Sequence, residues 1–577
     1  MGTTVKVVDQ SCILVTGHAW SRFRLYDRIG VRSAKAVFCA KPNNGGSRSV
    51  YDIVRGCHHQ GQPVEEREPR AVTLHAARGH HVPERLVRVD GLGVIWLLGR
   101  SRNNARKEIA SVSGVDLSEP GPRGRALLAY QSEHESNART YPRRLPVAIA
   151  EASGSYVTDV DGRVYVDFLT GAGALPLGHN HPELVAAVHD QMSRLTHGLD
   201  LPTPVRTDFA RRQIGALPAS MRSRAKIHFC GPTGADAVEA AVKLCQKATG
   251  RSGVVAFQGS YHGSTHGALA LSSDVRVKEG LGSLPVNVQF FPFSYCHRCP
   301  LGLSPQTCSI NCAGVLTNTL RDSHGGVQRP AAIIMELVQG EGGVIPAHVE
   351  FVRRIAATAR ELDTPLIVDE VQTGCGRTGT WFAFEQYDIE PDVIVASKGL
   401  SGMGLPVAII LYDQRLDTWS PGSHIGTFRG NNLAFASANA YLDVLERDDV
   451  LANVREQSRY LFTALKAIQR DTALVAEVRG LGLMLGLEMA GHGAVSGSEI
   501  ATRFQRAALQ RGLLLELGGR DDSVVRLLPA LNVTRQTVEE ALAVIGAAIT
   551  TIDDDLARES RTNGGQLSGV GDLTTRR

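Results

Sequence analysis

A chain of 577 residues is too long for one ordinary core and predicts two or more domains. Hydrophobic residues at 43% and charged residues at 21% fit a soluble globular protein; no apolar run reaches membrane-span length, and Met1-Gly-Thr-Thr-Val-Lys6 is no secretory signal. Residues 1–125 carry 20 Lys/Arg against 11 Asp/Glu, so a net charge of +4 divides into a basic leader of +9 and an acidic body of −5, which argues against nucleic-acid binding by the body.

The leader, residues 1–130, has Gly and Pro clusters (Lys41-Pro-Asn-Asn-Gly-Gly46, Gly121-Pro-Arg-Gly124) and few helical periods. Val94-Ile-Trp-Leu-Leu98 is its one strand-like run, and no pair of amphipathic helices offers a recognition helix. The expectation is a partly disordered extension, or a start codon assigned too far upstream. Next, Tyr156 to Phe168 reads as a hairpin turned at Asp161-Gly162, and Pro182 to Leu195 as an amphipathic helix. Phe229-Cys-Gly-Pro-Thr-Gly-Ala-Asp-Ala-Val-Glu-Ala-Ala-Val-Lys-Leu244 is a strand end, a Gly-containing turn and an Ala-rich helix. Such a turn aims backbone N–H groups and the positive end of the helix dipole at an anion. Val254-Val-Ala-Phe257 is a strand, and Gly259-Ser-Tyr-His-Gly-Ser264 follows with an aromatic able to stack on a flat ring.

Cys296, Cys299, Cys308 and Cys312 have a C-x₂-C-x₈-C-x₃-C spacing. Four thiolates at that density are a candidate set for zinc or an iron–sulfur cluster, or for a redox disulfide; a loop with no metal is the plainer expectation, and no metal is assigned. The ten cysteines spread over so long a chain predict a reducing cytoplasm and no disulfide framework. Strands are expected at Ala331–Met335, Pro365–Val368 and Val393–Ala396, with a helix over Val349–Leu362 among them. This alternation predicts a mostly parallel sheet flanked by helices, with ligands beyond its C-terminal strand ends. Asp369 and Lys398 stand there. A carboxylate and a lysine at neighbouring strand ends point to pyridoxal phosphate, the lysine binding the cofactor as a Schiff base and the carboxylate keeping the pyridinium protonated. Gly426-Thr-Phe-Arg-Gly-Asn431 adds a hydroxyl, Leu481–Glu488 reads as a strand of a smaller α+β domain, and the Gly/Ser-rich end from residue 554 as a flexible tail.

Glu135-Ser-Asn-Ala-Arg-Thr-Tyr-Pro-Arg143, Gly178-His-Asn-His-Pro182, Gly231-Pro-Thr-Gly-Ala-Asp-Ala-Val-Glu239, Gly340-Glu-Gly-Gly343, Asp369-Glu-Val-Gln-Thr-Gly374 and His424-Ile-Gly-Thr-Phe-Arg-Gly-Asn431 together resemble the class III aminotransferases of the fold type I pyridoxal-phosphate enzymes, and among them the diaminobutyrate–2-oxoglutarate aminotransferase family. The likeness covers residues 131–553. It implies an α/β fold with the N-terminal part of a small domain over 131–185, a large cofactor-binding domain over 186–455, a C-terminal small domain over 456–553, and a tail over 554–577. It also implies a homodimer with shared active sites.

By the same resemblance, Lys398 and Asp369 are catalytic. Thr233, Gly234 and Ala235 form the phosphate cup, Tyr261 with His262 beside it stacks on the ring, Gln372 bonds the phenolic oxygen, and Thr427 reaches the neighbouring subunit's phosphate. Arg526 clamps a substrate α-carboxylate and Glu336 masks it when a terminal amine enters. Glu336-Leu337 and Leu528-Pro-Ala530 depart mildly from the common Glu-Pro and Pro-Pro. The implied reaction moves an amino group between L-glutamate and L-aspartate 4-semialdehyde, giving L-2,4-diaminobutyrate and 2-oxoglutarate. The alternatives are another ω-amine such as 4-aminobutyrate or ornithine, a pyridoxal-phosphate racemase or aminomutase, or a cofactor-sensing regulator.

Overall fold

The body's short β-branched runs are apolar on both sides, which suits strands covered on both faces, and Gly, Pro and Asp punctuate them. The structure, a computed structural model, describes residues 116–567 continuously and, before them, seven short strands between Thr4 and Leu98. The chain divides into two units, Met1–Lys107 and Glu108–Arg577. In the first, Thr4–Asp9 pairs with Cys12–Thr16, and Val37–Pro42, Arg48–Ile53 and Ala71–Leu74 form a three-stranded antiparallel sheet. Ile95–Leu98, within the run picked out from sequence, pairs with Leu86–Val89. The other expectations for the leader fall mostly on residues outside those described.

The second unit opens with helix α1 (Pro122–His134), and the boundary expected at residue 130 lies inside it. Strands β1 (Ile149–Ser153), β2 (Tyr156–Asp159) and β3 (Val164–Asp167) form an antiparallel meander, with β2 and β3 joined through Asp161-Gly162. The Asp161 carboxylate accepts the N–H groups of Arg123 and Gly124 in α1 at 3.0 and 2.8 Å, and Tyr165 donates its hydroxyl to the Leu117 carbonyl at 3.2 Å. Residues 116–134 are therefore fastened to the body. Helix α2 (Pro182–Arg194) follows.

The central sheet is built from β4 (Ala225–Phe229), β5 (Val254–Phe257), β6 (Val288–Phe291), β7 (Ala332–Met335), β8 (Leu366–Asp369), β9 (Val393–Ala396) and β10 (Ile409–Asp413), in the order β4-β10-β9-β8-β7-β5-β6. Only β10 runs antiparallel to its neighbours. Helix α3 (Gly234–Thr249) packs on one face through Ala237, Ala240 and Ala241, whose small side chains let helix and sheet approach closely. Helix α4 (Val349–Glu361) turns Phe351, Val352, Ile355 and Ala359 into the core, the 3.6-residue spacing of an amphipathic helix. The C-terminal ends of β5, β7, β8 and β9, side by side in the sheet, all open at one edge.

The strand expected over Leu481–Glu488 is instead two strands, β11 (Val475–Leu481) and β12 (Met484–Met489), paired antiparallel. Gly482 makes the turn between them at φ +60°, where a Cβ would stand 2.4 Å from Thr378 Cα. Strand β13 (Leu513–Leu514) adds in parallel to β3, tying late sequence to early sequence. β14 (Glu516–Gly518) and β15 (Val524–Leu527) complete the second sheet, ordered β11-β12-β15-β14. The last helix, α5 (Arg535–Leu567), buries Ile552 and Leu556 and so runs well past residue 554, where a flexible tail was expected. Among the described residues no helix is long and apolar enough to cross a membrane.

Candidate active site

The open edge of the central sheet bounds a cavity of about 860 Å³. Asp369 ends β8, is 4% exposed, and is fixed by two hydrogen bonds. Its Oδ1 accepts the Val371 N–H at 3.0 Å, and its Oδ2 meets His262 Nδ1 at 2.7 Å. His262 is buried, and its other ring nitrogen, Nε2, has no hydrogen-bond partner. Burial opposes a charged imidazolium there, but the hydrogen bond and charge of Asp369, with Glu336 nearby, win and raise its pKa above the ordinary value. Glu336, just past β7, accepts the N–H groups of Tyr261 and Gly340, each at 3.0 Å. Burial pushes its carboxyl up to about 7, opposed by the charge of His262.

Lys398 follows β9 and lines the same cavity as Asp369. Its backbone has φ +40°, a left-handed conformation that a residue with a Cβ rarely adopts. Burial lowers its pKa, and the charges of Glu341, Arg526, Glu516 and Asp369 all reach it.

Thr233, Gly234 and Ala235 line one wall at the start of α3. The Asp236 carboxylate accepts the Thr233 N–H (3.0 Å) and hydroxyl (2.7 Å), and the Thr233 hydroxyl oxygen accepts the Asp236 N–H (3.4 Å), which closes the capping box that shapes the first turn. A Cβ on Gly234 would come within 2.9 Å of Val371, and one on Gly263 within 2.6 Å of Ala235. Glycine at the first place lets the helix start close against Val371, and at the second it lets the Gly263–Thr265 turn close against the helix start. Glu239 holds that turn, accepting the Thr265 hydroxyl at 2.7 Å and the Gly267 N–H at 2.9 Å. Tyr261 leaves 42% of its surface exposed on the cavity side, its hydroxyl 3.2 Å from that of Ser264.

Arg526, on β15, is fully buried, and its acceptors differ from those expected. Glu336 does not pair with it; that carboxylate is committed to two backbone N–H groups. Glu341, five residues on, takes its place, with Oε1 2.9 Å from Arg526 Nη1. The hairpin of Val338–Gln339 with Ile345–Pro346 carries Glu341 back over the site. Burial works against the Glu341 carboxylate, but Arg526 and Lys398 outweigh it and lower its pKa. Gln372 Oε1 accepts a second guanidinium N–H at 3.2 Å. Glu516 faces Arg526 directly across the β14–β15 pair, its Oε2 3.3 Å from Nη1. Gly518 makes room for the arginine, since a Cβ there would lie 2.8 Å from Arg526 Cδ. Tyr141 donates its hydroxyl to the other oxygen of Glu516 at 3.0 Å. The loop bearing Glu341 is held by Arg479, which donates to the carbonyls of Gly343 and Val344 and pairs with the buried Glu488.

Thr427 lies outside the cavity lining, on an exposed turn beside Ile425 (76% exposed) and Phe428 (70%). Cys296, Cys299, Cys308 and Cys312 are free thiols, and among the described residues no group of three or more His, Cys, Asp or Glu is placed to hold a metal ion. Burial raises the pKa of Cys312 to about 11, which makes it a poor thiolate. Glu341, Glu516 and Tyr141 escaped sequence reading. The glycines around Glu341 were the available signal, since they mark a turn that carries a side chain back over the site.

The Aminotransferase class-III family matches residues 137–549. A diaminobutyrate–2-oxoglutarate aminotransferase from Rhizobium meliloti (strain 1021) is 45% identical over 457 residues, 77% of this chain and 97% of the relative. Its counterpart from Haemophilus influenzae is 41% identical over 424 residues, 72% of this chain and 92% of the relative. Among solved structures, an amine transaminase from an uncultivated Pseudomonas species, crystallised in its PLP-bound form, superposes with a TM-score of 0.66 at 27% identity, over 72% of this chain and 98% of that one.

Proposed function

Because the chain belongs to the class III aminotransferases, we propose that it uses pyridoxal 5′-phosphate to move an amino group between L-glutamate and L-aspartate 4-semialdehyde, giving L-2,4-diaminobutyrate and 2-oxoglutarate. The observation that carries the reading is the buried Asp369–His262 pair, set on the same cavity as Lys398. The residues present fit the cofactor. Asp369, held in place by His262 at the end of β8, suits a protonated pyridine nitrogen. Tyr261 and Val371 offer surfaces for a flat ring, and Gln372 an amide for its phenolic oxygen. The first turn of α3 with Gly263, Ser264 and Thr265 supplies donors for a phosphate. When bound, the cofactor supplies an electron sink for the carbon that loses or gains the amino group.

Lys398 Nζ is the base that takes the proton from that carbon and returns it. Burial lowers its pKa, which favours the free amine that this proton transfer needs. Arg526 receives the α-carboxylate of glutamate or 2-oxoglutarate, and Glu341 swings aside to admit it. Glu341 is 38% exposed and sits between glycines, so the movement is cheap. With a terminal amine, no carboxylate arrives at that end, and Glu341 stays on Arg526. Thr427, with exposed Ile425 and Phe428 beside it, supports a homodimer in which this turn completes the partner's site. A cytoplasmic enzyme agrees with the free cysteines.

A panel of amino donors with 2-oxoglutarate, read by glutamate release, tests the reading. L-2,4-diaminobutyrate is expected to be the best donor. A clear preference for 4-aminobutyrate or ornithine would replace the substrate and leave the chemistry standing.

A further inference from the structure

Glu336 lines the cavity, and the two N–H groups it accepts belong to different parts of the site. Oε2 takes the N–H of Tyr261, whose ring forms one wall, and Oε1 takes that of Gly340, the residue before Glu341, each at 3.0 Å. A buried carboxylate that spans two donors holds both in place. The same two segments meet twice more. Gln339 donates its amide to the Gln258 carbonyl at 3.0 Å, and a Cβ on Gly342 would collide with the Gly259 carbonyl oxygen. Residues 258–261 and 339–342 therefore run against each other, with the Glu336 carboxylate bonded to both. On its other side, Gly340 abuts Gln372 Oε1, the atom that accepts from Arg526, so closely that a Cβ would not fit. A shift of Gly340 is thus felt where Glu341 and Gln372 hold the arginine.

We propose that Glu336 is a positioning residue that clasps the Tyr261 turn to the Gly340 turn, so that the stacking wall and the Glu341 gate keep their places together. The proposal rests on the transaminase reading above and deepens it. The wall serves the cofactor and the gate serves the choice between substrates, so one carboxylate sets both. Its shape is what matters, because each N–H group needs an oxygen of its own. Glutamine has the same shape but offers one oxygen and one NH₂ group, so one backbone N–H is left facing another donor. Aspartate keeps the charge, but its shorter stem cannot reach both turns where they now stand.

Two independent readouts of Glu336→Gln test this. Equilibrium dialysis of the holoenzyme should show pyridoxal 5′-phosphate held about tenfold less tightly, because the Tyr261 wall is no longer fixed. Stopped-flow absorbance at saturating cofactor should show the diaminobutyrate half-reaction losing about fivefold relative to the glutamate half, through its half-saturation concentration, because a loosened turn holds Glu341 less firmly on Arg526. Glu336→Asp should move both readouts in the same directions. If only one readout moves, or if both halves fall equally while the cofactor stays as tightly bound, Glu336 merely supports the fold and the proposal is overturned. A lower unfolding midpoint with both readouts unchanged overturns it as well. Should Glu336→Gln be insoluble, Glu336→Asp carries the test with the same outcomes. An unaltered enzyme that accepts neither diaminobutyrate nor any other ω-amine sinks the transaminase reading. An active enzyme whose Glu336→Gln variant keeps both readouts sinks the clasp alone.

Discussion

At the Asp369 end of the cavity both carboxylates have fixed partners: Asp369 has His262 and the Val371 N–H, and Glu336 has two backbone N–H groups. At the Arg526 end one guanidinium serves Glu341, Glu516 and Gln372 at 2.9 to 3.3 Å, and one of those partners rides a glycine-flanked turn. The first end is built on neighbouring strands of a single sheet. The second draws on a loop, a hairpin and a separate sheet. Groups that must hold one protonation state through a reaction gain from single, rigid partners. Groups that must receive two different ligands gain from a partner that can leave. The contrast matches a transaminase, which keeps one cofactor and alternates substrates.

The most damaging change should fall at the fixed end. Lys398→Ala is expected to lower turnover by about a thousandfold or more in both half-reactions, since the proton carrier is lost. Borohydride treatment of the loaded variant should then leave no cofactor fixed to the protein. A fixed cofactor would show that another lysine is the anchor.

Changes at the other end should split the half-reactions. Arg526→Ala is expected to weaken the glutamate half by about 2–5 kcal/mol, the cost of a desolvated carboxylate losing its partner, and the diamine half much less. Glu341→Gln should do the reverse, leaving the arginine unmasked and slowing the diamine half. Stopped-flow absorbance resolves the two, and equal losses in both would erase the contrast between the ends.

A smaller effect sharpens the electrostatics of the fixed end. His262 has a folded pKa above its ordinary 6.5, so its charged pair with Asp369 stabilises the fold fully below pH 6.5 and loses that contribution as pH rises through the raised value. The stability gap between the unaltered protein and His262→Asn, measured by denaturant unfolding without added cofactor, should narrow with rising pH through that range. A gap that is flat or widens with pH would mean that His262 is neutral in the fold. The smallest effect belongs to the leader. A chain beginning at Asp116 is expected to keep full activity, whereas one beginning at Glu133 loses the contacts of Asp161 and Tyr165 and should melt lower.

The same contrast explains what the sequence disclosed. Asp369 and Lys398 were legible because each ends a short buried run, and strand ends in an open parallel sheet meet at one edge. The helix start at Thr233 was legible because its chemistry is local, a capping residue followed by a carboxylate three positions on. Arg526 was legible as a residue but not as a partner. Glu336 and Glu341 lie five positions apart, and only the hairpin between them decides which one turns back to the arginine. Glu516 and Tyr141 are 375 positions apart, and no local pattern joins them. The turn at Gly482 and the length of α5 were missed for a related reason. A sharp reversal inside an apolar run, and a helix that outlasts its apolar stripe, are both settled by what packs against them.

Lys398 is also a residue its backbone would not choose. A left-handed φ at a position with a Cβ costs roughly 1–2 kcal/mol, and keeping an amine in so buried a place adds to that cost. Glycine would remove both penalties at once. In a library covering every residue at this position, the variant that survives heating best should be Lys398→Gly, and it should be inactive. Selection for thermal endurance alone would therefore discard the enzyme's function at this single codon, so any stabilisation programme has to hold it fixed.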